Sequence, residues 1–437
     1  MRKNLFKKVL ALTLASTMAL SMAGCGSKGG SSDAKNDDGT ITLNVWHQWS
    51  NDTNELKSKY EEAVKAYEKE NAGVKIKTET LDTEAYKTKI NAEFAGDAKG
   101  IDVFYWWGAG TAKKLVDAGK VMALDDYVTD DVKSKILEGS TSAFEFDGKL
   151  YSVPMFSWYM TLFCNKTMFD KAGATLPTTY DELVDAVKKL KKLDGVIPMA
   201  AGAKDGWNAA FVYQALALRE VGATGVNEML SGKKEFGDEG FKKAAQKVSD
   251  LYEMGAFGDN PLEQGNDDAN AAFENGKAAM RLMGSWFANN VYTDDAATIK
   301  PEEVVALKIP TIADGKGEAT DYCGGFVESF WVNNNTKYKE EAAKFCIYIN
   351  EKMGVASYET GSGFSGWTTP ADESNLNPLF IQIKDLLAEG KQGVLAWDTS
   401  LESEPAAVHN EQVQTLFADG ADIDAFIDEH KAAINGK

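Results

Sequence analysis

Ten tryptophans occur among 437 residues, and their placement says more than their number. Trp46 and Trp49 flank the end of a β-type run in VWHQWSND, and Trp106 and Trp107 close another in FYWWGAG. Trp158 lies in PMFSWYM, Trp207 in KDGWNAA, Trp286 in MGSWFANN and Trp367 in GFSGWTTP. Each of these eight stands where apolar periodicity gives way to Gly, Ser or Asn, which predicts strand ends or loops. Trp331 and Trp397 read as core. In open α/β sheets, ligands sit beyond the carboxyl ends of strands. A cleft edged by indoles with amide and carboxylate neighbours suits a sugar ring. Its C–H face stacks on the indole, and its hydroxyls take the hydrogen bonds. Taken singly, each indole fits half-buried packing equally well. Trp286 and Trp46 are the strongest candidates, because flexible polar positions follow each. His47 reads as a hydrogen-bonding rim residue or a loop histidine facing water. Asp82, in ETLDTEAY, reads as a hydroxyl acceptor or as the N-cap of the next helix.

Signals for catalysis are missing. The three histidines, His47, His409 and His430, are far apart and none belongs to an HExxH motif. No GxSxG elbow or Walker A sequence is present, and the GAG, GSG and CGG groups lack the context of a phosphate cradle. With 66 acidic residues a glycosidase-like carboxylate pair can always be imagined, so abundance carries no weight. No metal site and no cofactor are indicated.

Strand and helix signals must position these residues. Thr40–Trp46 reads as a strand, followed by a helix with Leu56, Tyr60, Val64 and Tyr67 on one face. Val74, Ile76 and Thr78 alternate as a second strand. A helical stretch over Glu84–Phe94 then leads to IDVFYWW, a third strand. This alternation predicts βαβ-type layering. Further along, Thr179 and Glu182 form a capping box for a helix with Leu183, Val187, Leu190 and Leu193 as its stripe. Lys277–Met283, Val304–Pro310 and Phe326–Val332 read as strands. The last of these precedes a helix with Tyr338, Ala342, Phe345 and Ile349 on one face. Glu404–Ile434 reads as two amphipathic helices. The fold class is α/β.

The chain begins with the basic segment Met1–Lys8 and the apolar run Val9–Met22, the pattern of a secretory signal too short for a comfortable span. Met22-Ala23-Gly24-Cys25 resembles a lipobox. That resemblance implies cleavage after residue 24 and a lipid (a diacylglyceryl and palmitate-type anchor) on Cys25. Gly26–Gly39 is a Gly/Ser-rich tether with a reach on the order of 20 Å. Removing the first 24 residues leaves 43 basic against 66 acidic residues, a net charge of −23. Such acidity disfavours nucleic acid and anionic lipid headgroups as partners. Cys164, Cys323 and Cys346 read as buried free thiols.

The order of elements resembles the extracellular solute-binding proteins of ATP-binding-cassette importers, in particular the sugar-binding lipoproteins that include maltose-binding protein. In YSVPMFSWYMTLFCNKTMFDKAGATLPTTYDELVDAVKKL the match runs through Asn165, Lys166, Phe169, Gly173, Pro177, Thr179 and Glu182. In AAFENGKAAMRLMGSW it runs through Phe273, Gly276, Ala279, Met280, Gly284 and Trp286. The resemblance implies two α/β lobes joined by a hinge, a type II periplasmic-binding-protein-like fold with the ligand between the lobes. Lobe 1 would comprise 40–149 and 303–353, and lobe 2 would comprise 150–302 and 354–437. It implies that Trp286 stacks on a sugar ring and that Trp46–Ser50 and Phe104–Trp107 face the cleft. More loosely, it places Gly324–Phe326 and Phe364–Trp367 at the cleft or hinge. The implied ligand set is Trp46, His47, Trp49, Asp82, Trp106, Trp107, Trp158, Trp207, Trp286, Phe326 and Trp367. The implied protein is a non-enzymatic monomer on the outer face of a bacterial cytoplasmic membrane, held there by its lipid alone. It would pass a carbohydrate, an oligosaccharide above all, to permease subunits. A non-sugar solute such as a polyol or peptide, and a surface glycosidase, are the alternatives.

Overall fold

A parallel pair opens the described chain: β1 (Ile41–His47) lies beside β3 (Val103–Trp107), with Val45 opposite Val103, and β2 (Val74–Thr80) flanks β1. The helices Glu55–Glu70 and Thr83–Ala95 make the crossovers that parallel strands require. The computed structural model describes residues 39–51, 54–293 and 297–436. The signal segment, Cys25 and the tether residues 26–38 lie outside the described residues. Residues Thr42–Lys437 form one compact unit.

The remaining strands are β4 (Glu145–Phe146), β5 (Lys149–Leu150), β6 (Phe156–Asn165), β7 (Ile197–Ala200) and β8 (Ala278–Gly284). They are followed by β9 (Val304–Leu307), β10 (Asp321–Val332), β11 (Phe364–Ser365) and β12 (Gln392–Val394). The main sheet runs β2-β1-β3-β10-β6-β8-β7. It has a first half, β2-β1-β3, and a second half, β6-β8-β7, joined through β10. The end of β10, Glu328–Val332, pairs antiparallel with β3, whereas Gly324–Phe326 pairs with β6, and the register shifts between Phe326 and Glu328. Backbones approach closely at this crossing. Gly324 has φ 133°, and a Cβ there would lie 2.0 Å from the Trp158 carbonyl oxygen, so only glycine fits.

Two further passages run beside β10. At the entry to β6, Met155 N–H donates to the Glu328 carbonyl (3.3 Å), and β11 pairs through Phe364 with Ser157. Helix Lys339–Glu359 belongs with the first half, where Phe345 and Tyr348 pack against Tyr67. The return of the chain differs from the sequence reading: β9 pairs with Leu162–Asn165 of β6, so Val304 still belongs to the second half. The change of halves comes inside β10, where an unbroken strand continues from one partner to the other.

Local signals explain the supporting elements. Thr179 and Glu182 close their capping box, with Glu182 N–H on Thr179 Oγ1 (3.3 Å) and Thr179 N–H on Glu182 Oε2 (3.1 Å). Helix Gly206–Leu230 is buried on nearly every side and breaks at Gly222, whose φ is 81°. Cys164, Cys323 and Cys346 are free and buried. Among the described residues no helix is long and apolar enough to cross a membrane.

Candidate functional site

Between the halves lies a cleft of about 1250 Å³. That exceeds the roughly 300–1000 Å³ common for small-molecule sites and leaves room for more than one ring. Six tryptophans line it: Trp49, Trp106, Trp107, Trp158, Trp207 and Trp286.

The first-half wall grows from the carboxyl ends of β1 and β3. Four of the five β3 residues are buried, and Trp107 emerges half-buried where the strand stops. Gly108 must follow it, since a Cβ there would meet the Ala143 carbonyl oxygen at 2.4 Å. The aromatic rings brace one another, Trp106 to Trp107 at 5.5 Å and Trp49 to Tyr105 at 5.5 Å between centroids. Helix Thr83–Ala95 adds Thr83, Lys87 and Asn91 at helical spacing of four. Asp82 caps this helix, accepting from Ala85 N–H (3.1 Å), and also lines the cleft. Lys87 pairs with Glu84 (3.1 Å) and lies 5.1 Å from the Trp107 ring and 5.8 Å from the Trp207 ring on the other wall.

The second-half wall is a contiguous aromatic group. Trp158 stacks on Phe211 (5.3 Å) and meets Trp286 edge-on (5.0 Å, 81°), while Trp207 meets Phe211 edge-on (5.3 Å). Trp286 folds back over Gly284, where a Cβ would fall 2.0 Å from its ring, so this glycine sets the indole's pose. Beside the aromatics stand Asn266, Asn270, Asn289, Asn290 and Asn410. One end is closed by helix Trp397–Ser400 against helix Ala109–Asp117. Thr111 Oγ1 donates to the Asp398 and Thr399 carbonyls (both 3.3 Å), and Gly110 lets Ser400 approach.

Three of the cleft carboxylates, Glu328, Asp398 and Asp205, are partly or wholly withdrawn from water. Burial pushes Glu328 up to about 7, against the opposing pull of neighbouring Tyr105, Trp107 and Lys87. Burial also raises Asp398 and Asp205. Gln48 Oε1, Trp207 Nε1 and Asn410 Oδ1 are buried polar atoms without hydrogen-bond partners, and all three residues line the cleft. Unpaired buried polar atoms are costly, so a ligand that paired them would gain affinity.

Four sequence candidates lie elsewhere. His47 does not reach the rim: it is 1% exposed, packs on Tyr60 (4.2 Å) and Trp49, and accepts Trp49 N–H at Nδ1 (3.2 Å). Burial holds it neutral, down at about 3. Trp46 is a buried β1 residue under Lys89, 4.5 Å from its ring. Trp367 is buried and its Nε1 donates to the Pro154 carbonyl (2.7 Å), which anchors a passage between the halves. Phe326 sits on β10 opposite Ser157, outside the cleft lining. Trp158 lies inside β6 and Trp207 in the first turn of a helix, neither in a loop. The sequence reading missed Phe156, Phe211, Lys87, Glu328, Asp398 and the asparagines. Phe211 had a signal, standing four residues after Trp207 on one helix face; Glu328 and Asp398 had none.

The family of bacterial extracellular solute-binding proteins matches residues 50–355. A galactooligosaccharide-binding protein of Bacillus subtilis is 29% identical over 370 residues, 81% of this chain and 79% of the relative. A multiple sugar-binding protein of Streptococcus mutans is 23% identical over 368 residues, covering 81% and 80%. Among solved structures, one from work on xylan utilization by the thermophilic bacterium Caldanaerobius polysaccharolyticus superposes with a TM-score of 0.85. It is 36% identical, over 90% of this chain and 99% of its own.

Proposed function

The chain belongs to the bacterial extracellular solute-binding proteins, and from that premise we propose that it captures an oligosaccharide and delivers it to the permease of an ATP-binding-cassette importer. The observation that carries this reading is the cleft of about 1250 Å³ lined by six tryptophans among amide and carboxylate side chains. Indole faces take the apolar faces of sugar rings, and the polar neighbours take the hydroxyls. The names of the B. subtilis and S. mutans relatives support a carbohydrate ligand.

The two halves of the sheet act as lobes, and the passages at β6, β10 and β11 act as the hinge. Closure around a ligand shifts an equilibrium between open and closed forms, and the permease recognises the closed one. No bond is made or broken. The protein works as a monomer, held on the outer face of the membrane by a lipid on Cys25 after loss of residues 1–24.

Titration of the mature chain with xylo-, manno-, malto- and galacto-oligosaccharides, followed by tryptophan fluorescence and calorimetry, tests this. A saturable one-to-one response to at least one series is expected. Silence across all series, or new reducing ends in the incubated sugars, would overturn it.

A further inference from the structure

Beneath the second-half wall lies a charged group that the cleft itself does not expose. Arg281, on β8, is 1% exposed, and its guanidinium makes five hydrogen bonds, all to neutral oxygens. Nε donates to Asn270 Oδ1 (3.1 Å), and Nη2 donates to Asn208 Oδ1 (2.8 Å) and Asn266 Oδ1 (3.1 Å). Nη1 donates to the carbonyls of Ala200 and Ala201 (both 3.2 Å).

A guanidinium has donors and no acceptor, so each of the three amides must turn its oxygen toward Arg281 and its NH2 group away. Two of those NH2 groups are used within the protein. Asn208 Nδ2 donates to Asn266 Oδ1 (3.4 Å), and Asn266 Nδ2 donates to Asp267 Oδ1 (3.0 Å). The third belongs to Asn270, on helix Asn266–Glu274, a residue that lines the cleft. Among the described residues its Nδ2 has no partner, and it is not among the fully buried orphan atoms. It therefore keeps access to the cleft. Arg281 is itself out of the ligand's reach, and the nearby acids Glu274, Asp205 and Asp267 only partly offset the effect of burial, which lowers it to about 9.

We propose that Arg281 is a positioning residue for ligand recognition: by gripping the Asn270 carboxamide oxygen it presents the Asn270 NH2 as a fixed hydrogen-bond donor to an acceptor oxygen of the bound sugar. The grip removes the amide flip and the rotamer freedom that would otherwise oppose binding, so the donor is ready before the ligand arrives. This rests on the carbohydrate reading of the cleft and adds to it which atom reads the ligand and what aims that atom.

The test is a double-mutant cycle on xylotriose, or on whichever oligosaccharide binds the unmodified protein most tightly. Asn270→Ala is expected to weaken binding about tenfold, the effect of one lost hydrogen bond. Arg281→Lys, which keeps the charge but has three donors on one nitrogen in place of the planar fork that makes five bonds, is expected to weaken it comparably. The double variant should bind no worse than the weaker single variant, because both changes remove one interaction. Additive losses would overturn the proposal, as would an Asn270→Ala affinity within twofold of the unmodified protein. Should Arg281→Lys fail to fold, nitrogen-15 spectra of the unmodified protein decide. Ligand must shift the Asn270 side-chain amide signals, identified by their loss in Asn270→Ala, and unmoved signals would overturn the proposal. If the unmodified protein binds no oligosaccharide, the carbohydrate reading fails and takes this inference with it. Binding with an additive cycle defeats this inference alone.

Discussion

The two walls of the cleft present the same residue type on different foundations. In the first half, Trp49, Trp106 and Trp107 rest on a packed aromatic layer in which His47, Tyr60, Tyr105 and Phe330 touch ring to ring. In the second half, Trp158, Trp207 and Trp286 surround Phe211 and stand beside asparagines tied to a buried arginine. The first wall offers braced aromatic faces; the second adds aimed amides. Stacking is tolerant of which ring it meets, whereas an aimed donor is not. On this account the first wall supplies affinity for rings in general, and the second wall supplies discrimination among them.

The largest expected effect concerns the foundation of the first wall. His47 titrates at about 3 in the folded chain and at about 6.5 unfolded. Its contribution to stability is complete above pH 6.5 and is lost as pH falls toward 3, by roughly 5 kcal/mol in all. His430 in the second half, lowered by burial to about 4, acts in the same direction. Chemical denaturation between pH 7 and 4 should show this loss, and His47→Phe should flatten it. An unchanged acid limb in His47→Phe would mean that the first wall does not depend on a neutral imidazole.

Glu328, where the walls meet, has the opposite sign. Its folded value of about 7 lies above the unfolded one, so its stabilising share is full below about pH 4.5 and disappears as pH rises through 7. Glu328→Gln should therefore be the more stable protein at pH 8, by up to roughly 3 kcal/mol, with the advantage fading below pH 5. Equal stability at both pH values would contradict it.

Next in size is Trp286→Ala. It should weaken oligosaccharide binding by roughly 1–3 kcal/mol with a near-unchanged thermal midpoint, because the indole is half-buried against Trp158 and faces the cleft. Trp107→Ala should lose a similar amount but alter the ranking of different sugars less. If the two variants change ranking equally, the division of labour between the walls falls. The smallest effect is expected from Lys87→Met. It removes the ammonium lying 5.1 Å and 5.8 Å from rings on opposite walls, a contribution of about 0.5–2 kcal/mol. Small-angle scattering of the unliganded protein should then show a more open average shape.

Much of this arrangement was legible in the sequence because local rules and tertiary fate agreed. The β1–helix–β2–helix–β3 run carries clean alternation and helical stripes, and the Thr179–Glu182 box forms as its spacing requires. Helix Gly206–Leu230 gave no stripe to read, since it is buried on nearly every side and periodicity needs a wet face. Indoles at strand ends were found for the same reason that they matter, a break between apolar order and polar flexibility. Trp46 and Trp367 show the limit of that rule: the same break also occurs where a strand end or passage turns an indole inward. His47 was misplaced because sequence shows polarity but not the ring of aromatics that keeps it neutral. Glu328 and Asp398 were unreadable among 66 acidic residues, since only the crossing strand and the closing helix bring them to the cleft.

Native mass spectrometry of the protein with an equimolar mixture of neutral oligosaccharides separates capture of an intact sugar from no capture and from breakdown. A single adduct per chain at the mass of one intact oligosaccharide is expected, lost in Trp286→Ala at the same concentrations. A spectrum of bare protein, or adducts matching only shortened sugars, would contradict it.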